Sequence, residues 1–246
     1  MMNNRFMHMR FILLLLLITQ SYSILGQTHK TWNYKKFDDR LFHFGFMFGI
    51  NSCDFQSYPV LDAYQSYGVK TLLTKPTPGG QVGILSTMKI FTPTLRLRLI
   101  PSISFQEKVI QYTFDNPDTS KTFDILEEER VNSTSLDFPL MLQYRTLRYN
   151  NFAAYLLAGA QYSIDLQSLE SSSQNFIDPF VKIKKYDFQG QIGGGVEFFL
   201  PFFKLGIELK YSHSFKNVFI QDYTPVSNPI HKLYNKIWFL SLTFEG

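Results

Sequence analysis

Eight runs that alternate in polarity with period two, connections that alternate long and short, and glycines gathered on the polar side of the runs together predict an all-β fold. The fold class they predict is an eight-stranded antiparallel transmembrane β-barrel of the outer-membrane type, preceded by a cleaved signal peptide. Composition sets the bounds. The chain has 246 residues, 45% apolar, 17% aromatic and 18% charged, with a formal charge of +4. Its 25 Phe and 14 Tyr are too much apolar surface for a disordered chain. Past the leader, no stretch approaches the ~18–20 continuous apolar residues of a spanning helix. A single cysteine, Cys53, excludes a disulfide framework and a cysteine-based zinc site. The positive balance, carried partly by Arg5 and Arg10, gives no argument for a nucleic-acid partner.

Residues 1–26 read as the signal peptide. Arg5 and Arg10 form a basic region, Phe11 to Ile18 an apolar core too short to span a membrane, and Ser21, Ser23 and Gly26 supply small residues for cleavage after Ser23 or Gly26. No cysteine lies near either point, which argues against a lipoprotein. Residues 27–42 form a periplasmic N-terminal segment, a dock or a tether, and 43–246 the outer-membrane barrel domain.

The eight strand runs are His43–Asn51, Gly80–Ile90, Thr94–Gln106, Asn132–Thr146, Asn151–Leu166, Tyr186–Phe199, Lys204–Phe215 and Asn235–Glu245. Several exceed the usual globular strand and fit the ~9–11 residues of a tilted bilayer-crossing strand. Parity separates the faces. The apolar face carries Phe44, Phe46 and Phe48 in the first run, Leu136, Phe138 and Leu140 in the fourth, Leu205 and Leu209 in the seventh, and Trp238 and Leu240 in the eighth. The second run is the weakest, because Leu85 and Ser86 break its alternation.

This pattern fits a soluble ligand-binding barrel with its apolar face inward, or a membrane barrel with that face toward lipid. The glycines decide. Gly45, Gly49, Gly83, Gly159, Gly193, Gly195 and Gly206 all fall on the polar face. Glycine weakens a strand on an outer wall, but inside a narrow barrel small residues let large ones fit. The polar face is therefore the lumen, with Arg96, Arg98, Arg145 and Lys210 expected to pair there with Asp137, Asp165, Asp187, Glu197, Glu208 and Glu245.

The connections 52–79, 107–131, 167–185 and 216–234 are long, and those at 91–93, 147–150 and 200–203 are short. This regularity places the long loops outside the cell and both termini in the periplasm. Tyr144, Tyr162, Tyr211 and Trp238 are expected at interfacial girdles. The amphipathic last strand ends in Phe244-Glu245-Gly246, resembling the signal read by outer-membrane assembly machinery.

Chemistry-bearing motifs are weak. The glycines of 190–195 suggest a phosphate loop, but they lie within a strand and no helix follows. The histidines at 8, 29, 43, 213 and 231 show no ligand spacing, and His43 and His213 sit at strand ends where an interfacial ring is ordinary. Nothing such as G-x-S-x-G supports a catalytic triad. Glu127, Glu128 and Glu129 close an acidic second loop whose net charge is −4 over 107–131, read as a solvated edge. Asn132-Ser-Thr134 is a sequon at a strand edge, with no use expected, and Cys53 opens the first long loop. These residues predict no enzyme activity, no cofactor, no metal site and no small-molecule substrate.

Particular stretches carry a resemblance. His43-Phe-Gly-Phe-Met-Phe-Gly-Ile-Asn51 resembles the opening strand of the PorT (SprT) family of the type IX secretion system of Bacteroidetes. Leu136 to Arg145, Tyr155 to Asp165, and above all the hairpin from Lys185 to Asn217 are similar to later strands of that family, as is Leu240 to Glu245. The resemblance spans about 40–246, and the long loops do not share it. It implies an integral outer-membrane component of the machinery that exports proteins bearing a C-terminal secretion domain, with a part in gliding motility where that occurs. No catalytic residue comes with it, and the partners it implies are outer-membrane lipid and other secretion-system proteins. A narrow lumen filled by side chains does not pass folded cargo, so the expected role is accessory or in assembly. A generic barrel acting as anchor or adhesin shares every physical feature. A lipid-modifying barrel enzyme is disfavoured by bulky lumen residues such as Met47, Met141, Tyr155 and Leu157.

Overall fold

The computed structural model describes residues 32–34, 37–114, 125–168, 170 and 180–246. The signal peptide and both cleavage points lie outside them, as do most of residues 27–36 and loop residues Asp115, Asp118, Lys121 and Asp124. The elements are β1 (Phe42–Pro59), α1 (Ala63–Tyr67), β2 (Val69–Lys75), β3 (Thr77–Lys89), β4 (Leu95–Leu99), β5 (Ser102–Phe114), β6 (Ile125–Arg145), β7 (Phe152–Asp165), β8 (Lys182–Ile183), β9 (Tyr186–Phe199), β10 (Lys204–Ser214), β11 (Phe219–Ile220) and β12 (Ile230–Glu245).

The large strands close into an antiparallel ring. β1 pairs with β12 on one side and β3 on the other, and the circuit runs on through β4 and β5, β6, β7, β9 and β10 back to β12. Two ring members are broken in the chain but continuous in the wall: β2 with β3 at Pro76, and β4 with β5 at Ile100-Pro101. Proline donates no ladder hydrogen bond, and at these two places the ladder is interrupted, whereas Pro78 and Pro139 are accommodated within β3 and β6. The result is an eight-member barrel, all-β and of outer-membrane type. Closure leaves no sheet edge across the apolar zone, as a bilayer requires of strands.

On β1, β5 and β12 the parity is kept, but the chemistry of the two faces changes along the strand. On β1 the outward residues run Phe44, Phe46, Phe48, Ile50 and then Ser52, Asp54, Gln56. The inward ones run Gly45, Met47, Gly49, Asn51 and then Cys53 and Phe55, both almost fully buried. On β12, read backwards, Phe244, Leu242, Leu240 and Trp238 face out before Lys236 and Lys232, while Leu233 turns inward. The register joins these levels, with Ser52 opposite Trp238 and Asp54 opposite Lys236. Below that level the wall is greasy outside and polar inside; above it the wall is polar outside and greasy inside.

The upper interior is a conventional apolar core of Phe55, Ile110, Tyr112, Val131, Ile230 and Leu233, onto which β8 and β11 pack Ile183 and Phe219. The strands therefore rise out of the bilayer into water, where the hydrophobic effect reverses its demand on each face. The lower, outward belt includes Phe44 at 63% exposure, Leu140 at 50% and Leu240 at 47%. A water-soluble protein does not present a continuous apolar belt of this kind.

This inversion corrects the loop lengths read from the sequence. Residues 52–59, 69–75 and 77–79 are strand, not loop, and so are 107–114 and 125–131. Glu127, Glu128 and Glu129 lie on β6, and Cys53 is buried in β1 rather than opening a loop. The sequence rule sought greasy-out strands, and these extensions are greasy-in. The short turns at 90–94, 146–151 and 200–203 gather at the end where Phe42 and Glu245 also lie.

The charged lumen as candidate functional site

Inward side chains in the lower barrel build a network of charges. Arg98 on β4 reaches Glu208 on β10 at 2.5 Å and Glu245 on β12 at 3.6 Å. Lys210 lies 3.4 Å from Glu208, and Lys204 bonds Glu197 and Glu245, both at 2.8 Å. Arg145 on β6 reaches Glu197 at 3.5 Å. Tyr155 on β7 donates to Glu208 at 2.8 Å, and Gln143 donates to Glu197 at 2.8 Å. Removing any one charge from so dry a cluster strands its partner, which is why the signs are nearly balanced.

Glycine makes the room. A Cβ on Gly195 would stand 2.6 Å from the Tyr155 hydroxyl, and one on Gly193 would stand 2.8 Å from Cγ of Lys210. Both long side chains lie flat across the lumen because their neighbours on β9 have none.

The N-terminal segment completes the network from below. Phe37 is fully buried, its ring stacked on His43 at 3.8 Å and set edge-on to Phe199 at 5.6 Å. Asp38 sits among three guanidiniums: Arg145 at 2.7 Å, Arg96 at 3.0 Å and Arg148 at 3.8 Å. The Nζ of Lys204 lies 4.7 Å from the Phe37 ring, and the Arg148 guanidinium 3.8 Å from that of Phe199. Asn33 donates to the Phe199 carbonyl at 3.1 Å, and its own amide donates to Asn151 at 2.8 Å. Residues 33–34 and 37–40 form a strap held across the lower mouth.

Nine lumen candidates come from the sequence: Arg96, Arg98, Asp137, Arg145, Asp165, Asp187, Glu197, Glu208 and Lys210. All are at least nine-tenths buried. The structure brings six of them into the lower network and leaves the three aspartates in a separate layer above. There they are bound by hydroxyls and amides rather than by cations, which corrects the expected charge pairing. Asp137 accepts from Ser104 at 2.7 Å, Asp165 from Ser133 at 2.8 Å, and Asp187 from Ser214 at 2.6 Å and Asn235 at 2.7 Å. The lumen cavity beside them, lined by Lys108, Ser163 and Gln189 among others, measures about 20 Å³. That is room for about one water molecule.

The ten candidates for the outer face, Phe44, Phe46, Phe48, Leu136, Phe138, Leu140, Leu205, Leu209, Trp238 and Leu240, point away from the lumen and are exposed or half-exposed. Tyr144, Tyr162 and Trp238 also face outward, and the Tyr211 and Trp238 rings lie 4.9 Å apart. Missed from the sequence were Asp38, Phe37 and Lys204 as members of the site; Tyr155, expected in the lumen as bulk, joins the network through its hydroxyl. Lys204 shares the parity of Gly206, Glu208 and Lys210 in its run, so its face was legible and was passed over; Asp38 lies outside any alternating run and carried no periodic signal. His43 is not an interfacial ring: it is 1% exposed, inside the barrel against Phe37. Leu85, which breaks the pattern of its strand, is buried with Met47 and Ile100 in the lumen.

Residues 25–220 match the family model described as the outer membrane protein beta-barrel domain. The chain belongs to this family. That membership, with the closed ring and its greasy belt, makes it an outer-membrane β-barrel protein. Similar solved structures include OprG from Pseudomonas aeruginosa, at 15% identity over 83% of this chain and 93% of that one, TM-score 0.44. Neisserial surface protein A is similar at 11% identity over 81% and 95%, TM-score 0.40. So is Ail, the attachment invasion locus protein of Yersinia pestis, solved with the heparin analogue sucrose octasulfate, at 10% identity over 84% and 100%, TM-score 0.37. No curated protein sequence matches the chain.

Proposed function

We propose that this outer-membrane barrel is a non-enzymatic component of the type IX secretion machinery, acting in its assembly or as an accessory to a larger conduit for proteins with a C-terminal secretion domain. The observation that carries this reading is the obstructed lumen. The strap, the charge network and the apolar cap lie one above another inside a ring of eight strand members, and the cavity beside the aspartate layer holds about one water. A barrel so filled works through its surfaces rather than through its bore. The resemblance of the first strand and of the Lys185–Asn217 hairpin to PorT supplies the choice of machinery.

In this reading the short turns, the strap and both termini face the periplasm, and the protein's partners are membrane lipid and other secretion proteins. The test is gene deletion followed by measurement of secreted cargo bearing the C-terminal domain. Loss of export, restored by the wild-type gene, supports the role; unchanged export removes it. The second reading, an anchor or adhesin, is favoured by the strands that stand above the apolar belt. It predicts normal export in the deletion strain together with a defect in surface attachment.

A further inference from the structure

We propose that the outward wall of β9, β10 and β12 carries a binding site for one phosphorylated, acyl-chained lipid of the leaflet on the side of the long loops. The site has two parts, and the fold places them one above the other.

The lower part is an apolar groove of about 390 Å³ lined by Ile192, Gly193, Gly194, Leu209, Tyr211 and Trp238. Gly194 is an outward position of β9, opposite Leu209 in the register. Its missing side chain forms the floor of the groove, while Ile192 and Leu209 stand exposed on either side at 62% and 52%. The groove lies within the greasy belt, so its natural filling is hydrocarbon rather than water.

The upper part is cationic. One outward step above Tyr211 and Trp238 come His213 and Lys236, opposite each other in the register. Lys232 follows on the same face of β12, and Lys216 stands exposed just past the end of β10. None of the ion pairs among the described residues involves Lys216, Lys232 or Lys236; Asp54, opposite Lys236 on β1, makes none with it. Glu107 and Glu128, on β5 and β6 elsewhere on the rim, are paired with Arg130. Three lysines above the groove face one neighbouring carboxylate, Asp54, so the patch keeps a net positive charge at the height where lipid headgroups begin. An anionic head bonded by lysines, with a chain in the groove below, satisfies both parts at once. A soluble anion would use only the upper part, and a neutral lipid only the lower.

The full mature protein, refolded in detergent, is titrated with a phosphorylated glycolipid (lipid A) and with its dephosphorylated form, and bound lipid is counted by native mass spectrometry. Heat-dependent gel mobility reports folding of each variant. Lys232 and Lys236 at a headgroup surface, each worth about five-fold, predict that this pair contributes about a 25-fold share of the preference for the phosphorylated form. The double variant Lys232→Gln/Lys236→Gln is expected to lose that share, keep only what Lys216 contributes, and leave binding of the dephosphorylated form unchanged. Leu209→Trp, which fills the groove from a position facing lipid, is expected to weaken both. Equal retention of the two lipids by the wild type would overturn the proposal, as would a double variant that keeps the full preference. If Leu209→Trp changes neither lipid, the lysines bind headgroups without the groove, and the site as described is wrong.

Discussion

Removing the Asp38 carboxylate tests how the strap is held. Asp38→Ala leaves Arg96, Arg145 and Arg148 without the anion they share at 3.0, 2.7 and 3.8 Å, while Arg145 keeps a second carboxylate, Glu197, at 3.5 Å. Breaking a fully buried pair costs about 3–5 kcal/mol, and breaking an exposed pair costs less than about 1. Asp38 is 22% exposed while its arginine partners are nearly dry, so the loss falls between these limits, at about 2 kcal/mol. The strap does not detach outright, because the buried Phe37 ring contributes a further ~1.5–3 kcal/mol. The equilibrium between docked and open strap should move about 30-fold toward open.

Hydrogen exchange reads this directly, since the Phe37 amide donates to the Tyr34 carbonyl at 3.1 Å only while the strap is folded. That amide should exchange about 30-fold faster in Asp38→Ala, with the β12 amides unchanged. The double variant Phe37→Ala/Asp38→Ala should lose protection there entirely and, in planar bilayers, stay as silent as the wild type, because the charge network and the upper apolar core still fill the bore. If Phe37 exchanges at the wild-type rate in Asp38→Ala, the three-arginine clamp contributes nothing to holding the strap and the argument fails.

Glu208→Gln should destabilise the barrel by about 3–5 kcal/mol in urea unfolding followed by gel mobility, because Arg98 and Lys210 lose their buried counter-charge. A loss below 1 kcal/mol would mean that water reaches the network. Gly195→Val drives a side chain against the Ile207 carbonyl oxygen, 2.5 Å from the added Cβ, and into the space of the Tyr155 ring, and should cost about 1–3 kcal/mol; combining it with Tyr155→Phe should recover only the share due to the hydroxyl at 2.6 Å. Leu240→Arg, in the lower belt, should cost about 2–4 kcal/mol in a bilayer. Asp54→Arg, one level above that belt, should cost under 1 kcal/mol, and equal losses at the two sites would contradict the inversion of faces. Leu233→Ala opens the apolar cap and should cost about 2–5 kcal/mol while leaving membrane insertion intact, as read by folding yield into vesicles.

The alternation of residues was enough to define eight wall members, their antiparallel order and the face to which Phe44, Arg98 or Glu208 points. Period two is a local property, and each residue declares its side through its own neighbours. The pairing of those residues is not local. Arg98 and Glu208 are 110 residues apart in the chain, and they meet only because barrel closure and strand register bring β4 and β10 to the same height. The separate layer of Asp137, Asp165 and Asp187 has the same origin, since parity assigns a face but not a level. Asp38 and Phe37 belong to no alternating run, so only the folded barrel, with three arginines at its mouth, gave them a place. The strand extensions were hidden for a different reason: where the wall leaves lipid for water, the same backbone parity carries the opposite polarity, and a rule tuned to one solvent reads the other as loop.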